Sequence, residues 1–215
     1  MSEPARNGET QRTAPDYAAM PLGEFLEATA TSKPAPGGGG AAAVSVALAA
    51  ALAGMSARLS GDYLAEAPDL ADRADRLRER ASRLASDDAQ AYEELLAARR
   101  ISRDEPGREE AVRRATESAT DVPLEIAETA REAAAISVRL ATDGNPNLRG
   151  DAITAASLAE AAARSAAELA AINTGEDDWR ADRARRIVEE SAALARCAFA
   201  RTKTVQEVNS RPPPA

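Results

Sequence analysis

Histidine is absent from the 215-residue chain, and its single cysteine, Cys197, has no partner for an intrachain disulfide. The first absence removes imidazole acid–base chemistry, Ser-His-Asp triads and His-containing metal sites. The second removes a disulfide framework, and no basic-then-apolar leader opens the sequence, so a cytoplasmic protein is expected. Lysine occurs only at Lys33 and Lys203, and aromatic residues make up 3% of the chain. Chemistry must therefore rest on Asp, Glu, Tyr, Arg, Asn or those two lysines. Acidic residues outnumber basic ones by 35 to 27, for a formal charge of −8. Phosphate neutralisation needs a clustered basic surface, so nucleic acid is not an expected partner.

Alanine is what the chain has in excess, at about a quarter of all residues. It is the best helix former, while the β-branched and aromatic residues that strands prefer are scarce. The expectation is an all-α single domain, a bundle of about five long helices plus a short N-terminal one, with closely approaching helices. Residues 1–19 and 208–215 read as disordered tails around a helical domain over 20–207. Pro21 suits a first helical position, followed by a short apolar face of Leu22, Phe25 and Leu26 to about Thr31. The run Pro34-Ala35-Pro36-Gly37-Gly38-Gly39-Gly40 then breaks the helix. Val44, Leu48, Leu52, Met55 and Leu59 recur at helical spacing from Ala41 to Leu59. The stretch Pro34–Ala57 carries no charge, but it is mostly Ala and Gly, too poor in Leu, Ile and Phe for a membrane helix. A central, fully surrounded bundle helix is the expectation, with no membrane partner.

A third helix is expected over Pro68–Arg100. Its seam steps by fours and threes through Leu70, Ala74, Leu77, Ala81, Leu84, Asp88, Ala91, Leu95 and Ala98. Asp104–Gly107 opens the next helical stretch, which Pro123 is expected to interrupt before Leu124, Ala127, Ile136 and Leu140 continue its face. Gly144-Asn145-Pro146-Asn147 ends it. Helices from Asp151 to Asn173, stopped at Thr174-Gly175, and from Asp178 to Val208 follow, the last carrying Ile187, Leu194, Phe199 and Val205, with Cys197 expected to pack.

Asp88 is the one polar member of an apolar seam. Desolvation there raises a carboxyl pKa and suits it to proton transfer or to balancing a cation, although a register-fixing or arginine-paired aspartate fits the same position. Tyr92, one turn on, can hydrogen-bond whatever Asp88 touches or fill core. Glycines 37–40 before a helix offer free N–H groups and close approach, or else a hinge; no Gly-Lys-Ser/Thr makes them a Walker loop. Asp151 at a helix start reads as an N-cap or first-turn acid, and Asn173 as a helix-terminal residue.

Several stretches in order carry a resemblance: Phe25-Leu26-Glu27-Ala28 with Pro34-Ala35-Pro36-Gly37-Gly38-Gly39, Asp88-Ala89-Gln90-Ala91-Tyr92, Val122-Pro123-Leu124-Glu125-Ile126-Ala127-Glu128, and Gly144-Asn145-Pro146-Asn147 with Asp151-Ala152. Over roughly residues 22–205 the chain resembles the cyclodeaminase/cyclohydrolase family, which includes the cyclodeaminase domain of formiminotransferase-cyclodeaminase and stand-alone methenyltetrahydrofolate cyclohydrolases. The resemblance implies an all-α homodimer that binds a tetrahydrofolate derivative near the subunit interface. It implies a catalytic role for Asp88, and substrate binding by Pro36, Gly37, Gly38, Gly39, Tyr92, Asn145, Asp151 and Asn173. The folate is substrate, and no metal or redox cofactor is implied. The chain departs from the family pattern at Gly40, where Ser is usual, at Ser60-Gly61-Asp62-Tyr63, where a basic pair is usual, and at Leu169 and Ala171, where Asn and Arg are frequent. A length without room for a transferase domain tilts the expectation toward a cyclohydrolase. A divergent paralogue that binds a folate-like heterocycle without turnover and a structural helical dimer are the alternatives.

Overall fold

The computed structural model describes residues 15–174 and 178–200. Among them are six α-helices and no strand: α1 (Leu22–Thr29), α2 (Gly38–Arg58), α3 (Ala67–Arg100), α4 (Arg108–Asp143), α5 (Arg149–Asn173) and α6 (Trp179–Ala200), with a 3₁₀ turn over Pro146–Leu148. Short connections make neighbours antiparallel. Gly54 of α2 lies beside Ala74, and Gly39 beside Asp88, so α2 and α3 run in opposite directions. α6 returns alongside α4 in parallel, tied by Arg180–Asp121 at 2.6 Å, Arg131–Glu190 at 3.5 Å and the Arg183–Glu128 pair.

Alanine sets the spacing of this bundle. All nine buried residues of α5 are alanines, from Ala152 to Ala170. Such a face carries no bulk and lets α2 and α4 approach closely on either side. Larger side chains fill what remains: Val46, Leu84, Ile126 and Ile187 toward one end, and Leu70, Leu77, Ile136 and Leu140 toward the other. At 34 and 36 residues, α3 and α4 outrun the 21 of α2 and the 25 of α5. Their excess forms a hairpin with its own small core of Leu95, Ala98, Ala115 and Ala119.

Several expectations are corrected. α4 is continuous through Pro123, which is buried within it. Packing on both sides holds the helix together, and the lost backbone bond concerns one carbonyl, Ala119. α2 starts at Gly38 rather than Ala41, so three glycines belong to its first turn. It is not fully surrounded: alanines 43, 49, 50 and 53 are buried, whereas Leu48 is 57% and Leu59 55% exposed. Small side chains win the inward positions because the neighbouring helices come close, and the bulkier stripe is left outside. α2 is long and apolar enough to cross a membrane, yet that buried face packs on α3, α4 and α5. In α1 only Phe25 is buried, with Leu22 and Leu26 exposed. Cys197 and Phe199 are exposed because Ala198 takes the inward position at the end of α6. Tyr17 falls in the stretch expected as a tail, but it is buried edge-on against Phe25, their ring centroids 5.8 Å apart. Residues 1–14 and 201–215, including Val205, the end expected for the last helix and the second tail, lie outside the described residues, as does Gly175.

Candidate active site

The seam of α3 is buried at every member except Asp88, which is half-buried. Its carboxyl lies over the first turn of α2. The first intrahelical bond of α2 runs from the Ala41 N–H to the Gly37 carbonyl at 3.0 Å, so the N–H groups of Gly38, Gly39 and Gly40 have no acceptor within the helix. Gly37, the N-cap, supplies no side chain. The Gly40 N–H donates to the Asp88 carboxylate instead. This approach requires glycine at 39, where a Cβ would overlap the carboxyl group of Asp88. Two effects then oppose each other on Asp88. Burial disfavours the charge and dominates, the Gly40 N–H favours it, and the pKa rises from 3.8 to about 6.

A cleft of about 280 Å³ opens beside this contact, near the lower limit for small-molecule sites. Among the described residues Asp88 is the one carboxylate on its wall, which also includes Gly37–Gly39, Tyr92 and Asn173. Tyr92 stands at the rim, 41% exposed. Asn173, at the end of α5, donates from Nδ2 to the Ala119 carbonyl at 3.0 Å and to the Leu169 carbonyl at 3.3 Å. Five elements meet here: the loop before α2, then α2, α3, α4 and α5. Opposite the glycines, Leu169 closes the wall with an apolar side chain.

The structure thus brings together Asp88, Gly37, Gly38, Gly39, Tyr92 and Asn173 within one chain. Pro36 is buried behind them, follows a cis peptide bond from Ala35, and does not line the cleft. Asn145 and Asp151 are not brought there. Asp151 is in the first turn of α5, 22 residues and about 33 Å of helix from Asn173. Asn145 belongs to a latch at the same far end: its N–H donates to Ser60 Oγ at 2.9 Å, its Nδ2 to the Leu59 carbonyl at 3.0 Å, and its Oδ1 accepts from the Asn147 N–H at 3.0 Å. Of the departures, Leu169 faces the cleft, Gly40 sits buried under Asp88, and Ser60-Gly61-Asp62-Tyr63 lies at the far end.

Sequence reasoning did not place Ala119, Pro123 or Ile172 in the site. It also missed Tyr17, whose N–H donates to Ser86 Oγ at 3.3 Å and whose phenol lies close enough to Asp88 to feel its charge. Pro123 did carry a signal, since a proline inside a helical pattern frees a carbonyl.

The family model described as formiminotransferase-cyclodeaminase matches residues 21–192. The solved structure of formiminotetrahydrofolate cyclodeaminase from Thermotoga maritima superposes with a TM-score of 0.73 at 26% identity, covering 89% of this chain and 98% of that one. No curated protein matched.

Proposed function

The chain belongs to the formiminotransferase-cyclodeaminase family, and we propose that its cleft performs C–N chemistry between N5 and N10 of a tetrahydrofolate, with formimidoyltetrahydrofolate cyclodeamination as the reaction. One observation carries this reading: a half-buried carboxylate, Asp88, with a pKa of about 6, on the wall of a small cleft. Cyclodeamination needs a group that takes a proton and gives it back near neutral pH. N10 attacks the formimidoyl carbon and a tetrahedral carbon forms. The proton leaving N10 passes to Asp88 and is returned to the departing nitrogen, which leaves as ammonia. The amidinium charge of the substrate becomes the methenyl charge of the product, so no net proton is consumed. An anionic Asp88 in a partly desolvated wall also stabilises that delocalised cation. The free N–H groups of Gly38 and Gly39 are donors for a carbonyl of the ligand, and Tyr92 at the rim is an aromatic surface for a ring.

Length does not separate this reaction from the cyclohydrolase one, because the Thermotoga cyclodeaminase chain is itself covered to 98%. Assay separates them. With 5-formimidoyltetrahydrofolate, ammonia and the methenyl absorbance should rise together. If the protein instead accelerates only the decay of methenyltetrahydrofolate over a blank, the reaction is the hydrolytic one. Activity in neither direction refutes the folate assignment.

The same reading includes a homodimer formed through the outward face of α2. Leu48, Met55 and Leu59 stand exposed there, beside a groove of about 470 Å³ floored by small residues such as Ala41, Ser45, Ala161 and Ser165. A bulky stripe next to a groove of small residues is self-complementary under a two-fold axis. Antiparallel pairing along α2 sets the Asn145–Asp151 end of one copy beside the Gly38 end of the other. Inactive Asp151→Ala and Asn173→Ala proteins, mixed and allowed to exchange subunits, should then regain activity. No recovery after verified exchange refutes the shared site.

A further inference from the structure

Within an α-helix the carbonyl of residue i accepts from the N–H of residue i+4, and proline has no N–H to give. Pro123 therefore leaves one carbonyl of α4 without its donor, and that carbonyl belongs to Ala119. An unanswered carbonyl on the wall of a cleft attracts a donor from a neighbouring element. The donor is Asn173 Nδ2, 3.0 Å away at the end of α5 and 54 residues distant in sequence. Its second proton is held by the Leu169 carbonyl at 3.3 Å. Both protons of the amide nitrogen are thus committed to the wall. The atom of Asn173 left for the cleft is Oδ1, an acceptor only, and Ala119, Pro123 and Asn173 all line that cleft with Asp88.

From this we infer that Pro123 is a positioning residue: by freeing the Ala119 carbonyl, it fixes the Asn173 amide so that Oδ1 receives an N–H of the bound heterocycle. The inference rests on the folate reading for the identity of the ligand, but not for the Pro123–Ala119–Asn173 linkage itself. The cleft then offers a fixed acceptor at Asn173, a proton-exchanging carboxylate at Asp88 and N–H donors at Gly38 and Gly39. This set selects a ring system that presents a donor edge at one end and a cationic or protonated nitrogen near the middle.

The test uses Pro123→Ala in the full chain, which restores an N–H able to take the Ala119 carbonyl. Pro123→Val restores the same N–H while keeping bulk, should the smaller side chain unfold the protein. The chain has five asparagines, so asparagine-selective ¹⁵N labelling gives few side-chain amide pairs, and Asn173→Ala identifies the one needed. In the native protein the Asn173 amide pair should exchange slowly with solvent, and in Pro123→Ala that protection should be lost. Affinity for tetrahydrofolate should fall about 3- to 10-fold, the value of one hydrogen bond, with no loss of melting temperature. In an Asn173→Ala background, Pro123→Ala should bring no further loss of affinity, because its effect passes through Asn173. An unchanged amide signal in Pro123→Ala, or an equal affinity loss with and without Asn173, overturns the inference. A native protein that binds no tetrahydrofolate refutes the folate reading, and the amide signal still decides whether Pro123 holds Asn173.

Discussion

Replacing Asp88 by Asn tests whether this carboxylate belongs to the fold or to the chemistry, because the two assignments give opposite signs. A carboxylate that serves mainly to cap α2 is stabilised as an anion, and its loss destabilises the protein. Here burial outweighs the Gly40 N–H, and the pKa stands at about 6 against 3.8. Between those values the folded chain binds more protons than the unfolded one, so the stabilising preference for protonated Asp88 is complete below 3.8 and lost as pH rises to 6. The difference of about two pH units corresponds to roughly 3 kcal/mol at neutral pH, at 1.36 kcal/mol per unit. Asn keeps the shape and an acceptor for the Gly40 N–H but cannot ionise. The variant should match the native protein near pH 4, gain on it steadily to about pH 6, and then level off. For a chain of this size about 3 kcal/mol is roughly 6–12 °C in melting temperature. Denaturation of both proteins from pH 4 to pH 8 checks this, since other carboxylates titrate alike in both and cancel. Turnover should fall by about 10²- to 10⁴-fold over the same range, the contribution of a general acid–base group. A stability difference that is flat with pH, or an Asn variant less stable at pH 7.5, would show that the anion is a structural cap.

Gly39→Ala should displace Asp88, lowering both melting temperature and turnover, whereas Gly38→Ala meets Leu169 at an ordinary 3.5 Å and should leave melting nearly unchanged; equal behaviour of the pair contradicts the packed carboxylate. Leu48→Glu buries two charges across the proposed two-fold contact and should halve the mass measured by light scattering, while a native protein that is monomeric throughout rejects that contact. Ser60→Ala strips the acceptor from the half-buried Asn145 N–H and should cost about 1–3 kcal/mol in urea denaturation, and a cost near zero would mean that the far-end latch is filled by other groups.

How much was legible follows from which physical rule decided each element. The α3 seam was readable because a four-three repeat sustained along most of a 34-residue helix admits one inward face, and Asp88 stood out on it. The inward face of α2 was not, because hydropathy marks Leu48 and Met55 as core whereas volume decides when neighbouring helices approach within alanine distance. Asn173 was legible as a helix end, but its partners were not, since they depend on where α4 passes α5. Pro123 shows the limit most clearly. Its missing N–H was read as a break, yet long-range packing keeps α4 whole, and the consequence that survives is an unpaired carbonyl. Asn145 and Asp151 were visible as a motif, but a motif carries no distance, and in one chain they lie at the far end.

Three of the local rules that this chain breaks are broken at one end of the bundle. A helix begins on three glycines, an acid interrupts an apolar seam, and a proline occupies a helix interior, and all three border one cleft. Each is unfavourable by itself: glycine by about 1 kcal/mol per helical position, proline by about 3, and a desolvated carboxylate by a similar amount. At the other end Ser60, Asn145 and Arg149 answer backbone groups near helix ends, with Arg149 bonded to the Ala141 carbonyl at 2.7 Å and the Ala198 carbonyl at 3.1 Å. The three are connected if glycines let a carboxylate reach a helix start, the carboxylate must exchange a proton, and the proline must free a carbonyl. Stability given up in one place, through groups that touch each other, is the physical signature of a site.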